Sequence, residues 1–410
     1  MQDKDLYQTL LGLNSPWYVA RVELELKEGK VHVWVEHGEN QWMCPECGEA
    51  CSMYDHVEER TWRHLDTMQY TTLLHARAPR VCCDEHGVRQ VKLPWAEPKS
   101  RFTLLFETFA ISVLKAVGVG GARKILKLSW DEAWTIQRRA VQRGLQRKTL
   151  QVPELIGLDE KAYRKGKDSY MTIVSDLERG TVDWIGDDRK AETLVGYFEQ
   201  FPVEQLAGIR GIAMDMWKGY KLAIRKMLPD PERKMVYDRF HVMRDINDAV
   251  DLVRKREHCS LLAVEDERLK GSKYLWLHAG ENVPRKHRRW FAALKRASLK
   301  TARAWAIKED LRHLWARANE MTAIRFWKSW YFWASHSRLM PIIRAAKKLQ
   351  RHAAALLNYF RCPITNAYAE GINGRIETLK RLARGYRNLD NFKIAILFHH
   401  GGLDLLPTTH

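Results

Sequence analysis

Asp159, Asp215 and Glu370 are the residues of this sequence that could do chemistry together. Asp159 closes the apolar run LIGLD (155–159), and Asp215 closes GIRGIAMD (208–215). Short apolar runs bounded by glycine and charge read as buried strands, whose last residue emerges at the sheet edge. In open α/β sheets that edge is where ligands bind. Around Glu370 the pattern is helical. At 100° per residue, Asn366, Glu370, Asn373, Glu377, Lys380 and Arg384 fall within roughly an 80° wedge. Tyr368, Ile372, Ile376, Leu379 and Ala383 take the opposite side, so the helix is expected to pack there and turn Glu370 away. Carboxylates gathered without counter-charge repel one another unless a cation lies between them, which makes a divalent metal site the chemistry on offer. The plainer alternative is a solvated wedge and two ordinary strand-end aspartates.

The elements that must position these residues begin at Gln151. LIGLDEKAY, SYMTIVSDLE and TVDWIGDD are three consecutive strand candidates, followed by a helix over 190–199. The Asp215 strand, a helix over 217–227 and a strand over 234–237 complete a β-β-β-α-β-α-β order. A right-handed crossover of ordinary length would set the Asp159 strand beside the Asp215 strand. From about Arg239 to Phe360 the chain reads as nearly all helix, with seven tryptophans (Trp276, Trp290, Trp305, Trp315, Trp327, Trp330 and Trp333) expected mostly in the core.

Toward the N-terminus, 18–26 and 31–35 alternate apolar and polar residues around Glu28–Gly29, a β-hairpin pattern. Cys44 and Cys47 form one C-x-x-C, and Cys83 and His86 form a C-x-x-H further on. Paired knuckles of this spacing close a tetrahedral zinc site, structural because four protein ligands leave no open position. Cys51 and Cys82 compete as ligands, and reduced, buried cysteines are the plainer reading. Arg101–Val117 is an apolar-periodic helix ending at Gly118–Gly121, and 122–126 is a short helix. Ser129 and Glu132, in capping-box spacing, then open a helix carrying Arg138, Arg139 and Arg143. That suits a helix-turn-helix whose second helix contacts DNA through these arginines; an ordinary helical hairpin is the alternative.

Composition bounds the partners. The 410 residues carry a formal charge of +18, with a pI near 9.6. Such an excess favours a polyanion, nucleic acid before anionic membrane. Basic residues concentrate in 284–303 and 375–387. An apolar content of 45% with 16 Trp is that of a folded chain of several domains. The opening residues are polar, and no apolar stretch is expected to approach the roughly 20 residues of a membrane span. Seven cysteines, an odd number, suit a reducing cytoplasm.

This order of parts resembles the bacterial DDE-type insertion-sequence transposases of the ISL-three group over nearly the whole chain. The anchors are CPECG (44–48), YDHVEERTWRHLDT (54–67), EHGVRQVKLPWA (85–96), IGLDEKAYRKG (156–166), MDMWKGY (214–220), YDRFHV (237–242) and NAYAEGINGRIETLKRLARGYRN (366–388). The resemblance implies a multidomain α+β protein. Residues 1–98 would be a zinc-ribbon-like β module and 99–150 a helix-turn-helix. Residues 151–238 and 361–400 would form an RNase H-like α/β catalytic domain, interrupted by an all-helical insertion at 239–360. Asp159, Asp215 and Glu370 become the catalytic triad, holding two Mg²⁺ (or Mn²⁺), beside a structural Zn²⁺. The activity implied is cleavage of the element's ends and strand transfer to target DNA. Double-stranded DNA is then the partner, and a homo-oligomer in the bacterial cytoplasm, on the nucleoid when bound, is the expected state. One departure stands out. Many such enzymes carry a basic residue seven positions after the glutamate, where this chain has Glu377, so a phosphate contact would fall to Lys380 or Arg384. Two rival functions are a zinc-dependent regulator with an inactive RNase H-like body, and an RNase H-like nuclease without strand transfer.

Overall fold

Alternating burial along 17–37 folds this stretch back on itself. In a computed structural model of the chain, which describes residues 3–164, 169–364 and 367–408 without the side chains of 367–370, β1 (Trp17–Glu25) and β2 (Lys30–His37) pair antiparallel. Gly29 makes the turn at φ 66, a left-handed conformation that suits glycine. The short strands β3 (Gln41–Met43), β4 (Ala50–His56), β5 (Arg60–Arg63), β6 (Thr71–Ala76), β7 (Pro79–Cys83) and β8 (Gly87–Gln90) follow. They assemble as two sheets, β1-β2-β6-β5 and β3-β4-β7-β8. Trp17, Val33, Val35, Trp62, Leu74 and Trp95 fill the core of this region.

Residues Leu104–Ile125 form one helical run, interrupted in its backbone at Gly118 (φ 66, ψ 176). The break falls at the glycine where the sequence ends its first helix, and helical hydrogen bonding resumes beyond it in the segment that holds the expected short helix at 122–126. Counted across that break, the run is by length and composition long and apolar enough to cross a membrane, which corrects the expectation that no stretch approaches that length. Its packed side nevertheless holds Glu107, only 1% exposed. The Trp130–Arg147 helix follows with the expected capping box. The Glu132 N–H donates to Ser129 Oγ (3.2 Å), and the Ser129 N–H donates to Glu132 Oε2 (2.8 Å).

Arg143 lies inside this packing, not on its surface. Its guanidinium donates to Glu97 Oε1 (2.7 Å), Glu107 Oε2 (2.9 Å) and the Leu405 carbonyl (2.6 Å). One turn on, Arg147 binds Asp404 (2.9 Å) and the Leu406 carbonyl (2.6 Å). Gly144 lets the same terminal segment approach, since a Cβ there would sit 2.7 Å from the Leu403 Cβ. Met1–Lys148 and Leu397–His410 accordingly form one compact unit, and Thr149–Ile396 forms the second.

The second unit is built on a five-stranded sheet. Its strands are β9 (Leu155–Ala162), β10 (Tyr170–Asp176), β11 (Thr181–Gly186), β12 (Gly211–Met214) and β13 (Met235–Tyr237), in the order β11-β10-β9-β12-β13. The first three are antiparallel, and β12 lies parallel to both β9 and β13. Helices Ala191–Phe198 and Lys218–Met227 sit where the sequence puts them, with a short extra helix at Val203–Ala207. Ile156, Leu158, Val174, Ile212 and Met235 share one large core with the helices that follow β13. Leu155, Ala213 and Val236 join a smaller cluster with Cys362 and Ile364, on the other face as strand alternation requires. Trp276, Trp327 and Trp330 are buried as expected, whereas Trp290 (37%) and Trp333 (40%) are exposed.

Removing one partner from a buried ion network leaves charge unpaired. Arg143→Met is expected to destabilise the first unit by about 3–5 kcal/mol, read in denaturant unfolding, whereas exposed Arg138→Ala should stay within about 0.5 kcal/mol.

Candidate active site and zinc site

Register decides where the two aspartates meet. β9 and β12 pair in parallel with Ala213 opposite Gly157, so continuing two residues sets Asp215 level with Asp159. The pairing with β12 stops there, but β9 itself runs on to Ala162 against β10. Asp159 thus sits mid-strand, where its parallel neighbour departs, and not at a strand end as the apolar run suggested. Alternation puts both side chains on the face of Leu155 and Ala213, away from the large core.

Burial, foremost, pushes the carboxyl of Asp159 above the ordinary range, although Lys161 and the Glu160 N–H pull the other way. Burial likewise raises Asp215, and the charge of Asp159 adds to the shift. Among the described residues neither has a Lys or Arg ion-pair partner within 4.0 Å. The Trp217 N–H donates to Asp215 Oδ1 (2.9 Å), and Asn373 Nδ2 donates to Asp159 Oδ2.

That last bond locates the Glu370 helix, Ala367–Leu382. Its apolar side is buried at Ile372 and Ile376, both 0% exposed. The sequence reading turned the polar wedge away from the packed face, yet Asn373 meets Asp159 and Lys380 Nζ donates to the Ala162 carbonyl. The wedge lies along β9, because the strand offers it a carboxylate and an open carbonyl. The side chains of Asn366, Tyr368 and Glu370 lie outside the described residues; Glu370 is placed on the helix, one turn before Asn373. Arg384 is exposed, at φ 56.

Three neighbours carry no site assignment in the sequence. His241 is bonded to Asp238 Oδ2 (2.9 Å), which raises its pKa, and the charge of Asp215 acts in the same direction. Arg189 lies between the rings of Tyr170 (4.5 Å) and Trp217 (4.7 Å) and reaches Glu160 (3.2 Å). Asn373 is the third. Spacing offered a signal for two of them: Asn373 follows Glu370 by three, and His241 follows Asp238 by three at a helix start.

In the first unit, Cys44, Cys47, Cys83 and His86 bring their ligand atoms within 4.8 Å of one another. The Cys47 and Cys83 sulfurs are 3.7 Å apart, and Cys83 Sγ is 3.6 Å from His86 Nδ1. The His86 backbone N–H, with its imidazole, holds the Cys83 thiol down at about 6, so the thiolate a metal needs is favoured. Adjacent Cys82 is exposed, because strand alternation sends it to the opposite side of β7. Cys51 stays close to the cluster electrostatically, with its Sγ 3.5 Å from the Glu49 carbonyl.

The chain matches three models of known families. Residues 156–396 match a transposase model, 40–86 a zinc finger of the transposases of IS204, IS1001, IS1096 and IS1165, and 91–141 a helix-turn-helix domain of ISL3 transposases. The chain belongs to the ISL3 family of transposases. It is 27% identical over 401 residues to the transposase for insertion sequence element IS1001 of Bordetella parapertussis, covering 97% of this chain and 98% of that relative. To the transposase for IS1557 of Mycobacterium tuberculosis it is 25% identical over 442 residues, covering 100% of this chain and 98% of the relative.

In this transposase the arginines of the helix-turn-helix separate by environment. Arg138 is exposed, whereas Arg139 is tied to Glu97 (2.8 Å) and the Pro98 carbonyl (3.2 Å). Arg143 is saturated within the fold, which corrects its placement among the DNA contacts. Along the exposed stripe of the same helix, Thr135 and Gln142 flank Arg138; both are uncharged, so a count of basic residues does not mark them.

Two outcomes follow for the transposase. Cys44→Ser or Cys47→Ser is expected to lose bound zinc by elemental analysis and to weaken end binding, while Cys82→Ser keeps both. In metal-free protein, Asp215→Asn removes a buried like charge and should raise the melting temperature. A gain of about 1 kcal/mol would read as about 2–4 °C, and saturating Mg²⁺ should close the gap by stabilising the wild type alone.

Proposed function

We propose that the chain binds the ends of its own insertion sequence, cleaves them and transfers the strands to target DNA. Asp159, Asp215 and Glu370 would be the catalytic carboxylates. The observation that carries this reading is the level placement of two partly buried aspartates on parallel strands, against the helix that bears Glu370. The sheet order, three antiparallel strands and then two parallel ones reached through helices, supports an RNase H-like body at 151–238 and 361–400. Residues 239–360 are its helical insertion, and 1–98 and 99–150 are the zinc and helix-turn-helix modules of the same proposal.

The donor set fits Mg²⁺, a hard cation that takes carboxylate oxygens and keeps several waters. When bound, the metal would lower the pKa of an attacking water or 3′-hydroxyl and offset charge on the leaving oxygen. The chain's own groups do the positioning. Asn373 orients the Asp159 carboxylate, and the Trp217 N–H orients that of Asp215. His241, held by Asp238, has its pKa raised chiefly by that bond, with the charge of Asp215 acting in the same direction. End cleavage and strand transfer are both in-line displacements at phosphorus, so one arrangement of carboxylates serves both. Cys44, Cys47, Cys83 and His86 are assigned to structural zinc. Arg138 is assigned to DNA, as is Arg384, with Lys380 giving one of its three N–H groups to Ala162. Action as a homo-oligomer on paired ends, in the bacterial cytoplasm, belongs to the same reading.

Asp159→Asn, Asp215→Asn and Glu370→Gln should each abolish Mg²⁺-dependent cleavage of the element's ends, by at least about 10³-fold, while binding to those ends persists in mobility-shift assays. Robust cleavage by any one of them would remove that residue from the site. Joining of a pre-cleaved end to plasmid DNA separates a transposase from a nuclease that only hydrolyses.

A further inference from the structure

Between Glu320 and Glu370 the sequence contains no Asp or Glu at all, although acidic residues number 50 in the chain. Two packed helices, Glu320–Ser335 and Met340–Gln350, occupy much of that stretch. On the second, Ile342, Ala346 and Leu349 are buried, and Arg344, Lys347 and Arg351 form the exposed stripe at i, i+3 and i+7. Among the described residues none of these three has an ion-pair partner within 4.0 Å. Some other cations of the same unit are paired, Arg210 with Glu154, Arg225 with Glu232 and Arg312 with Glu281. A solvated face normally mixes signs, and this one does not, so its field is unmasked.

The stripe also leads somewhere. His352, just beyond its last arginine, stacks edge-on against Tyr237 with ring centroids 5.2 Å apart. Tyr237 ends β13 level with Met214, the residue before Asp215. The positive charges of Lys221, Arg351 and Lys348 all bear on His352, offset by Asp245. Of these, Lys348 is neutralised by Asp245 (2.7 Å). Arg351 and Lys221 thus continue the unpaired charge toward the aspartate edge.

We infer that Arg344, Lys347 and Arg351, with Lys221 at their end, form a track for the phosphate backbone of DNA entering the Asp159–Asp215 edge. The partner is the phosphodiester chain itself, because spaced cations on one helix face read charge and not base sequence. The inference rests on the proposed catalytic reading for its destination, but not for the binding it asserts.

The test uses the full-length Asp215→Asn protein, so that binding is read without cleavage. Arg344, Lys347 and Arg351 are changed together to Gln, and affinity for a random-sequence 60-base-pair duplex is followed by fluorescence anisotropy from 50 to 300 mM KCl. Each phosphate contact contributes about 0.9 to the slope of log affinity against log salt. The triple variant should therefore have a slope shallower by about 2–3, with an unchanged melting curve. A matched variant with Arg285, Lys286 and Arg289, all exposed, changed to Gln should keep the parental slope. An unchanged slope in the first variant, or an equal loss in both, overturns the track. Neither result bears on whether the carboxylates cleave DNA, which the single carboxylate variants decide.

Discussion

Parallel pairing of β9 with β12 imposes the constraint on which the second unit turns. It sets two carboxylates level with each other in a partly buried place, where burial and mutual repulsion both work against ionisation. A fold does not keep such an arrangement for stability, since isolated buried charge is costly. The surrounding contacts hold it in place nonetheless. Tyr220, fully buried, places its hydroxyl 3.2 Å from Thr172 and 3.4 Å from the Asp159 carbonyl. Asn373 and the Trp217 N–H hold the carboxylates, and among the described residues neither has a Lys or Arg ion-pair partner within 4.0 Å.

Much of this could be read from residue order alone. Apolar runs of strand length, two crossover helices and a capping box gave the sheet and the Trp130–Arg147 helix, because each depends on local periodicity. Tertiary choices were less accessible. Asp159 looked like a strand end because its apolar run stops there, yet β10 keeps pairing with β9 through Ala162. The polar wedge of the Glu370 helix looked solvated because a helical wheel does not say which neighbour offers a carboxylate. Arg143 looked like a DNA contact because a sequence cannot tell that Glu97, Glu107 and the Leu405 carbonyl converge on it from distant positions. The zinc ligands were accessible through spacing, and the choice of Cys83 over Cys82 followed once alternation along β7 was known.

The first unit makes a related use of charge. Buried Glu107 would be costly alone, and Arg143 compensates it while also fastening the terminal segment through Leu405. The helix that presents Arg138 to solvent is thereby braced on its opposite side. Arg138, with Thr135 and Gln142 on the same exposed stripe, takes no part in that network.

Gly211 has a wider consequence. The chain leaves the sheet at Tyr237 on β13 and comes back at Cys362 and Ile364, which lie so close over Gly211 on β12 that any Cβ would meet Ile364 at 2.4 Å. Asn358 ties the return by donating to the Glu232 and Met235 carbonyls. Departure and return therefore fall on neighbouring strands. A segment that leaves and rejoins the sheet at two paired strands puts no geometric demand of its own on where Asp159 and Asp215 stand along β9 and β12.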